Sequence, residues 1–376
     1  MNQQEIINAI ALTRIGYFSL ANILQLYRAV GSATEIVNHR SNIRDILPTA
    51  SDRLVASLKD IDEPLRRAEA ELEFDERHHI TPLLLSSPDY PERLRHCDDA
   101  PLVLYYRGTA DLNAPRVINI VGTRQATSYG QELTRRLVAD LRQLAPDVVI
   151  VSGLAYGIDI CAHRTALEQG METVGVLAHG LDTIYPTLHR STAEQMLRQG
   201  GLLTEFPTST KADKVNFVRR NRIVAGIADA TVLVESAAHG GGLITAAIAG
   251  SYNRDVMAFP GAVGAKYSEG CNQLIRNNGA TLITSALDLL NTMGWQPAAE
   301  EQKARKEGIE RQMFPDLTDE EQTVVEALTK NNDQQINILA VQTGITISSL
   351  AAILFSLEMK GVVRPMAGGT YHLLTI

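Results

Sequence analysis

The chain has 376 residues, 45% of them hydrophobic, with a formal net charge of -8, enough for one large core of roughly 150 to 250 residues and one or two small satellites. That acidic balance argues against a protein coated in nucleic acid through general basicity, but it leaves room for one local basic groove, because field strength depends on clustering. Cys97, Cys161 and Cys271 are odd in number, far apart and without a Cys-x-x-Cys pair, so neither a disulfide framework nor a thiolate metal site is suggested and a reducing compartment fits.

Residues 1–75 repeat apolar positions at helical spacing (Ile6, Ile7, Ile10, Leu12, then Leu20, Ile23, Leu24, Leu26, Tyr27) and predict a small helical module. Its Leu12-Thr-Arg-Ile-Gly16-Tyr17 turn is a degenerate match to a SAM-like or helix-hairpin-helix module. Gln3, Gln4, Glu5 and Asn8 do not open a signal segment, and no apolar run approaches the roughly 20 residues needed to span a membrane. A cytoplasmic location is expected.

Residues 80–295 alternate short β-branched runs with helical stretches. Strands are predicted at Val117–Val121, Val148–Ser152, Thr173–Ala178, Leu202–Phe206, Thr231–Glu235, Asp255–Phe259 and Thr281–Thr284. Strand, loop and helix at this spacing predict an α/β, Rossmann-like, doubly wound and mostly parallel sheet. Ligands bind such sheets at the carboxyl ends of strands. Glycines crowd the loops there: Gly122-Thr-Arg124, Ser152-Gly153-Leu-Ala-Tyr-Gly157, Glu235 to Thr245 with Gly240, Gly241 and Gly242, and Pro260-Gly261. Free amides at helix starts favour anions, so phosphate is the expected ligand class. Neither a Walker phosphate loop nor Gly-x-Gly-x-x-Gly occurs, so ATP hydrolysis and a dinucleotide cofactor are unsupported and no cofactor is expected.

Within this zone, Lys211 to Arg222 reverses the sign of the chain: five cations, one acid, Asn216, Asn221 and Phe217 in twelve residues. Cations attract phosphates, a ring stacks on bases, and carboxamides reach base edges or sugars, the ingredients of a single-strand nucleic-acid site. The bland alternative is a solvated helix face with Phe217 as a core plug, and Asn221 and Arg222, beside Ile223 and Val224, as braces for neighbouring loops. His163 and Asp159 share a helix face, but no Ser or Cys nucleophile is placed to use them. His179, His189 and His239 are scattered and suggest no metal. No catalytic constellation emerges.

Residues 296–315 read as a linker, rich in Glu, Lys, Gln and Ala. Residues 316–376 predict three helices (Asp319–Thr329, Ile336–Gln342, Ser348–Met359) and a hairpin around Gly368-Gly369, a winged helix. Its third helix has a single terminal cation, and from Arg311 onward four Lys or Arg face seven Asp or Glu, which favours a protein-interaction role over duplex reading.

Val121-Gly-Thr-Arg124, Val151 to Arg164, Asn216 to Gly226, Gly240-Gly-Gly-Leu-Ile-Thr-Ala246 and Gly270-Cys-Asn-Gln-Leu-Ile275 resemble, in order across the whole middle zone, the DprA or Smf family of DNA-processing proteins. The resemblance implies a Rossmann-like domain that binds single-stranded DNA, dimerises, and loads the RecA recombinase in natural transformation. By the same resemblance, Arg124 is the phosphate-binding arginine, Lys214 the groove lysine and Phe217 the stacking aromatic, with Arg219, Arg220, Asn221 and Arg222 completing the basic segment. Gly153, Gly240, Gly241, Gly242 and Thr245 would offer amides and a hydroxyl, Asn216 belongs to the same segment, and Lys266 and Asn272 flank the last loop. Many family members carry Arg, Pro and Ser where this chain has Tyr156, Val218 and Gly241. The alternative is an enzyme, a nucleotide-hydrolysing phosphoribohydrolase-like relative, but Gly242 is followed by Leu-Ile-Thr-Ala-Ala-Ile with no acid to act as general acid or base.

Overall fold

Seven short runs of apolar and β-branched residues form the strands expected of them, with ends shifted by at most one or two residues. The computed structural model describes residues 2–15, 20–298, 317–366 and 369–374, and the chain divides into two compact units, Met1–Ala298 and Ala299–Ile376. The first unit opens with helices α1 (Gln3–Thr13), α2 (Leu20–Val30), α3 (Ala33–Asn38), α4 (Asp52–Lys59) and α5 (Asp62–Arg77). There follow β1 (Thr81–Leu84), α6 (Glu92–Arg95), β2 (Val103–Gly108), β3 (Val117–Val121), α7 (Ser128–Leu144), β4 (Val149–Ser152), α8 (Ile158–Glu168), β5 (Thr173–Val176) and α9 (Arg190–Met196). It ends with β6 (Gly200–Thr204), α10 (Lys214–Gly226), β7 (Ala230–Leu233), α11 (Gly241–Ser251), β8 (Asp255–Ala258), α12 (Glu269–Arg276), β9 (Thr281–Leu282) and α13 (Ala286–Met293).

The strands make one sheet in the order β1-β2-β6-β5-β4-β3-β7-β8-β9. From β6 to β9 all neighbours are parallel; β1 and β2 are antiparallel additions at one edge. These two were not anticipated. β1 contains Pro82, which an edge strand tolerates because one side of its backbone needs no ladder donor.

Both faces of the sheet are covered. Val117 and Val121 of β3 pack with Val149, Val174 and the N-terminal helices, while Ile118 and Ile120 pack with Leu137, Ala162 and Leu289 from α7, α8 and α13. The predicted boundary near residue 75 therefore runs through a shared apolar core, because Ile10, Leu24 and Ala68 join the same cluster as Leu84 and Leu104. The turn around Gly16 and Tyr17 lies outside the described residues.

In the second unit, α14 (Asp319–Lys330), β10 (Gln334–Gln335), α15 (Ile336–Thr343), α16 (Ile347–Met359), β11 (Val363–Met366) and β12 (Thr370–Leu373) form a winged helix with strand order β10-β12-β11. Thr318 and Glu321 cap α14 reciprocally. Lys360, the cation at the end of α16, donates to both Glu321 carboxylate oxygens, at 2.6 and 2.8 Å. Nearly all of the expected linker lies outside the described residues. Among those described, no single helix is long and apolar enough to cross a membrane.

Candidate nucleic-acid interface

From β3 the chain steps outward through β4, β5 and β6, then returns to place β7 on the other side of β3. Connections therefore leave β3 and its neighbours in opposite directions, which opens a crevice at the strands' carboxyl ends. A cavity of about 260 Å³ lies there. Gly122 and Arg124 line it from the β3 loop, Gly153 and Asp159 from the β4 side, Arg220 and Asn221 from α10, and Gly240, Gly241, Gly242 and Thr245 from α11.

The loops use their backbone donors differently. The Gly153 N–H donates to the Asp159 carboxylate at 3.2 Å, the Leu154 N–H to His163 Nε2 at 3.3 Å, and the Thr123 N–H to the Glu235 carbonyl at 2.8 Å. The start of the β4 loop is thus braced from inside, with the Gly153 and Leu154 amides already engaged. Gly241 and Gly242 differ, since as the first residues of α11 they have N–H groups with no intrahelical acceptor. A Cβ on Gly241 would meet nothing within 4 Å, whereas one on Gly153 would fall 2.0 Å from the Arg220 guanidinium. Bare glycine at 153 is what lets that arginine lie against the loop.

From Lys214 onward the basic segment is helical, and the period of α10 distributes its four cations among different tasks, with Lys211 just ahead of the cap. Asp213 caps α10 by accepting the Asn216 N–H at 2.8 Å, and the Asn216 carboxamide donates back to the Lys211 carbonyl at 3.0 Å. Arg222 is buried, 2.5 Å from Glu205 and also bonded to the Asp99 carbonyl; Arg219 reaches the same Glu205 oxygen at 3.3 Å. Arg220 is buried and donates to the Val176 carbonyl. Lys211 and Lys214 remain exposed. Among the described residues, Arg124 and Lys214 form no ion pair, and the Asn221 carboxamide accepts and donates no hydrogen bond.

Phe217 is half-buried on the rim of this cluster. The Arg124 guanidinium lies 4.8 Å from its ring centre, Arg220 6.0 Å, and the Tyr185 ring 5.9 Å. Asn272 is occupied elsewhere, accepting the Gly261 N–H at 3.0 Å and donating to its carbonyl at 2.9 Å. Lys266 lines a neighbouring cavity. The N-terminal helices reach the site indirectly: Glu71 on α5 accepts from the Thr208 N–H and hydroxyl, both at 2.6 Å, and so fixes the loop that feeds α10.

Burial dominates the titration of the cavity floor. It raises the Asp159 carboxyl, against the pull of Arg220, the Gly153 and Ala155 N–H groups and Arg124. It lowers Arg220 to about 10, against Asp159 and assisted by Arg124, so that arginine stays charged at neutral pH. His163 is pushed down to about 3 by burial, Arg220 and His189. It is a neutral structural residue, as its bonds to Leu154 and Thr173 require. With buried Arg220, Arg124 and the unpaired Gly241 and Gly242 amides all lining it, the cavity suits a phosphate; the Arg124–Phe217 rim suits a flat ring.

Residues 81–294 match the family of DNA recombination-mediator protein A. The chain belongs to this family. Residues 311–369 match the DprA winged helix domain. Protein Smf of Synechocystis is 34% identical over 313 residues, spanning 76% of this chain and 78% of its own. The crystal structure of DNA processing protein A from Streptococcus pneumoniae superposes with a TM-score of 0.64 at 29% identity, covering 77% of this chain and 98% of that one. DNA processing protein A from Helicobacter pylori, whose structure concerns its single-stranded DNA binding mode, gives 0.52 at 28% identity over 57% of this chain and 95% of that one.

Two differences from many members of the DprA family have simple settings. Tyr156 packs edge-on against His189, ring centres 5.0 Å apart, and Gly241 faces open space that a serine would also fit. In the sequence Asp159 pairs with His163 on one helix face, and nothing singles out Glu205 or Tyr185. Asp159, at the start of α8 beside the glycine loop, carries a usable signal; the other two are distant in sequence from their partners and only the fold brings them together.

Proposed function

We propose that the chain binds single-stranded DNA in the crevice at the β3–β7 switch point, as a non-enzymatic recombination mediator. One observation carries this reading: Arg124, free of ion pairs among the described residues, lines the same cavity as the orphan amides of Gly241 and Gly242 and lies 4.8 Å from the ring centre of Phe217. A phosphate held by the first pair leaves its base within reach of the second. Lys214, exposed at the start of α10, extends the cationic track.

Membership in the DprA family supports the finer steps, action as a homodimer in the cytoplasm and loading of RecA onto the strand during natural transformation. Against the enzyme alternative, α11 offers no acid after Gly242, and Asp159, which lines the cavity, spends its carboxylate on the Gly153 and Ala155 N–H groups. Two facts favour a protein-contact role for the winged helix. Lys360 is tied to Glu321, and Phe355 and Met359 on α16 are exposed apolar residues.

A dT oligomer titrated without nucleotide tests the proposal. Log affinity should fall against log salt by roughly 0.7 per phosphate contacted, Arg124→Glu and Lys214→Glu should each weaken binding strongly, and Phe217→Ala should cost about 1 to 3 kcal/mol. Unchanged affinity in all three variants refutes the groove, and release of free base from AMP supports the enzyme. Faster RecA-dependent strand pairing with the wild type, and not with Arg124→Glu, tests the loading step.

A further inference from the structure

Across the β3–α7 loop from the phosphate cavity lies a second one, of about 450 Å³. Gly122, Thr123 and Arg124 line the first cavity, and Thr127 and Tyr129 line the second, so the loop is a thin partition between them. The walls of the second are the Tyr129 and Tyr267 side chains with Pro260, Gly261 and Ala265; exposed Lys266 sits with its ammonium 5.2 Å from the Tyr267 ring centre.

Both tyrosines are held by their hydroxyls. Tyr129 donates to the Pro260 carbonyl at 2.8 Å, and Tyr267 donates to the Gln125 side chain on the partition itself. The loop bearing Tyr267 is fixed as well: its carbonyl accepts the Ser236 N–H at 2.7 Å, the Gly270 N–H donates to the Ser236 carbonyl at 2.8 Å, and Asn272 clamps Gly261. Rings held this way have lost most of their rotamer freedom before any ligand arrives, which lowers the entropic cost of stacking on them.

Glu235 decides which part of a nucleotide enters. It is buried beneath the cavity, and its carboxylate accepts from the Thr127 N–H at 2.9 Å and hydroxyl at 2.5 Å. A phosphate is repelled by that carboxylate, whereas a neutral heterocycle is not, and a base edge can donate to it. Lys266 outside supplies the partner for the phosphate.

We propose that this cavity is a second nucleobase subsite, taking a base of the same strand whose phosphate lies at Arg124, so that the strand straddles the β3–α7 loop with one base at Phe217 and another between Tyr129 and Tyr267. The inference rests on the single-strand reading above. Its test uses the full chain and dT oligomers carrying one 5-iodouracil at successive positions, irradiated and mapped by mass spectrometry. Cross-links to Phe217 from one position and to Tyr129 or Tyr267 from another are expected, and Ala265→Trp, which fills the cavity from an exposed position, should abolish the tyrosine adduct several-fold more than the Phe217 adduct. Cross-links to Phe217 with none to either tyrosine overturn the second subsite and leave the groove standing. Failure of every oligomer to bind overturns both.

Discussion

Replacing Arg222 with alanine deletes one of the five cations in the segment 211–222, yet its effect should fall on folding. The Arg222 side chain is 7% exposed and lies 2.5 Å from Glu205, whose own side chain is 3% exposed. After the substitution, Glu205 keeps only Arg219 at 3.3 Å, on a side chain 41% exposed. Removing one partner of a buried pair costs about 3 to 5 kcal/mol, because the other charge stays desolvated; the remaining Arg219 contact puts this case near the lower end. At roughly 2 to 4 °C per kcal/mol for a unit of this size, the melting temperature should drop on the order of 10 °C. Scanning calorimetry reads that shift, and fluorescence anisotropy of a labelled dT oligomer, well below the transition, should find affinity within about twofold of wild type. Lys214→Ala is the counterpart, with stability changed by less than about 0.5 kcal/mol and the salt slope reduced by roughly 0.7. A tenfold loss of DNA affinity in Arg222→Ala at unchanged melting temperature would refute the division of labour drawn here.

Contacts elsewhere in the chain give three more expected outcomes. Asp75, buried on α5 beside Glu71, has its carboxyl raised to about 8, first by burial and then by that neighbour; its folded value exceeds the unfolded one, so stability should decline as pH rises from about 4 to about 8, and Asp75→Asn should flatten that decline in thermal melts. Glu321 is the opposite case: burial would raise it, but Lys360, Ser356 and the Thr318 N–H hold it down to about 2. The winged helix should therefore keep this stabilisation above about pH 4.5 and lose it on descent toward 2, and Glu321→Gln should remove the pH dependence seen by circular dichroism. Gly153→Ala should destabilise the first unit and weaken DNA binding, since its Cβ collides with Arg220 at 2.0 Å, while Gly241→Ala, with open space around its Cβ, should leave the melting temperature unchanged or slightly higher.

Much of the architecture was legible because it depends on local pattern. Val117–Val121 and Val149–Ser152 are short, apolar and closed by small residues, and the spacing between such runs leaves room for one helix each, so the parallel sheet could be read directly. The winged helix was legible for the same reason. β1 and β2 were not, because β1 is only four residues long with a proline, and their antiparallel pairing at an edge has no βαβ spacing to announce it. In the candidate site, residue types were legible and their partners were not. Arg219, Arg220 and Arg222 look alike in sequence, but the helical period turns two of them toward Glu205, from a loop before α10, and one under Gly153. The glycine loop after β4 reads as an anion cradle in sequence, but Asp159 and His163, a few residues on, occupy the Gly153 and Leu154 amides.

On the proposed reading, single-stranded DNA is held in the crevice at the β3–β7 switch point that Arg124 lines. The most direct measurement is the affinity of the full chain for one dT oligomer against a duplex of equal length, wild type beside Arg124→Glu, with melting temperatures recorded for both proteins. Preference for the single strand is expected, lost by at least tenfold in Arg124→Glu at unchanged melting temperature. Equal affinity of wild type and Arg124→Glu for the oligomer would contradict it.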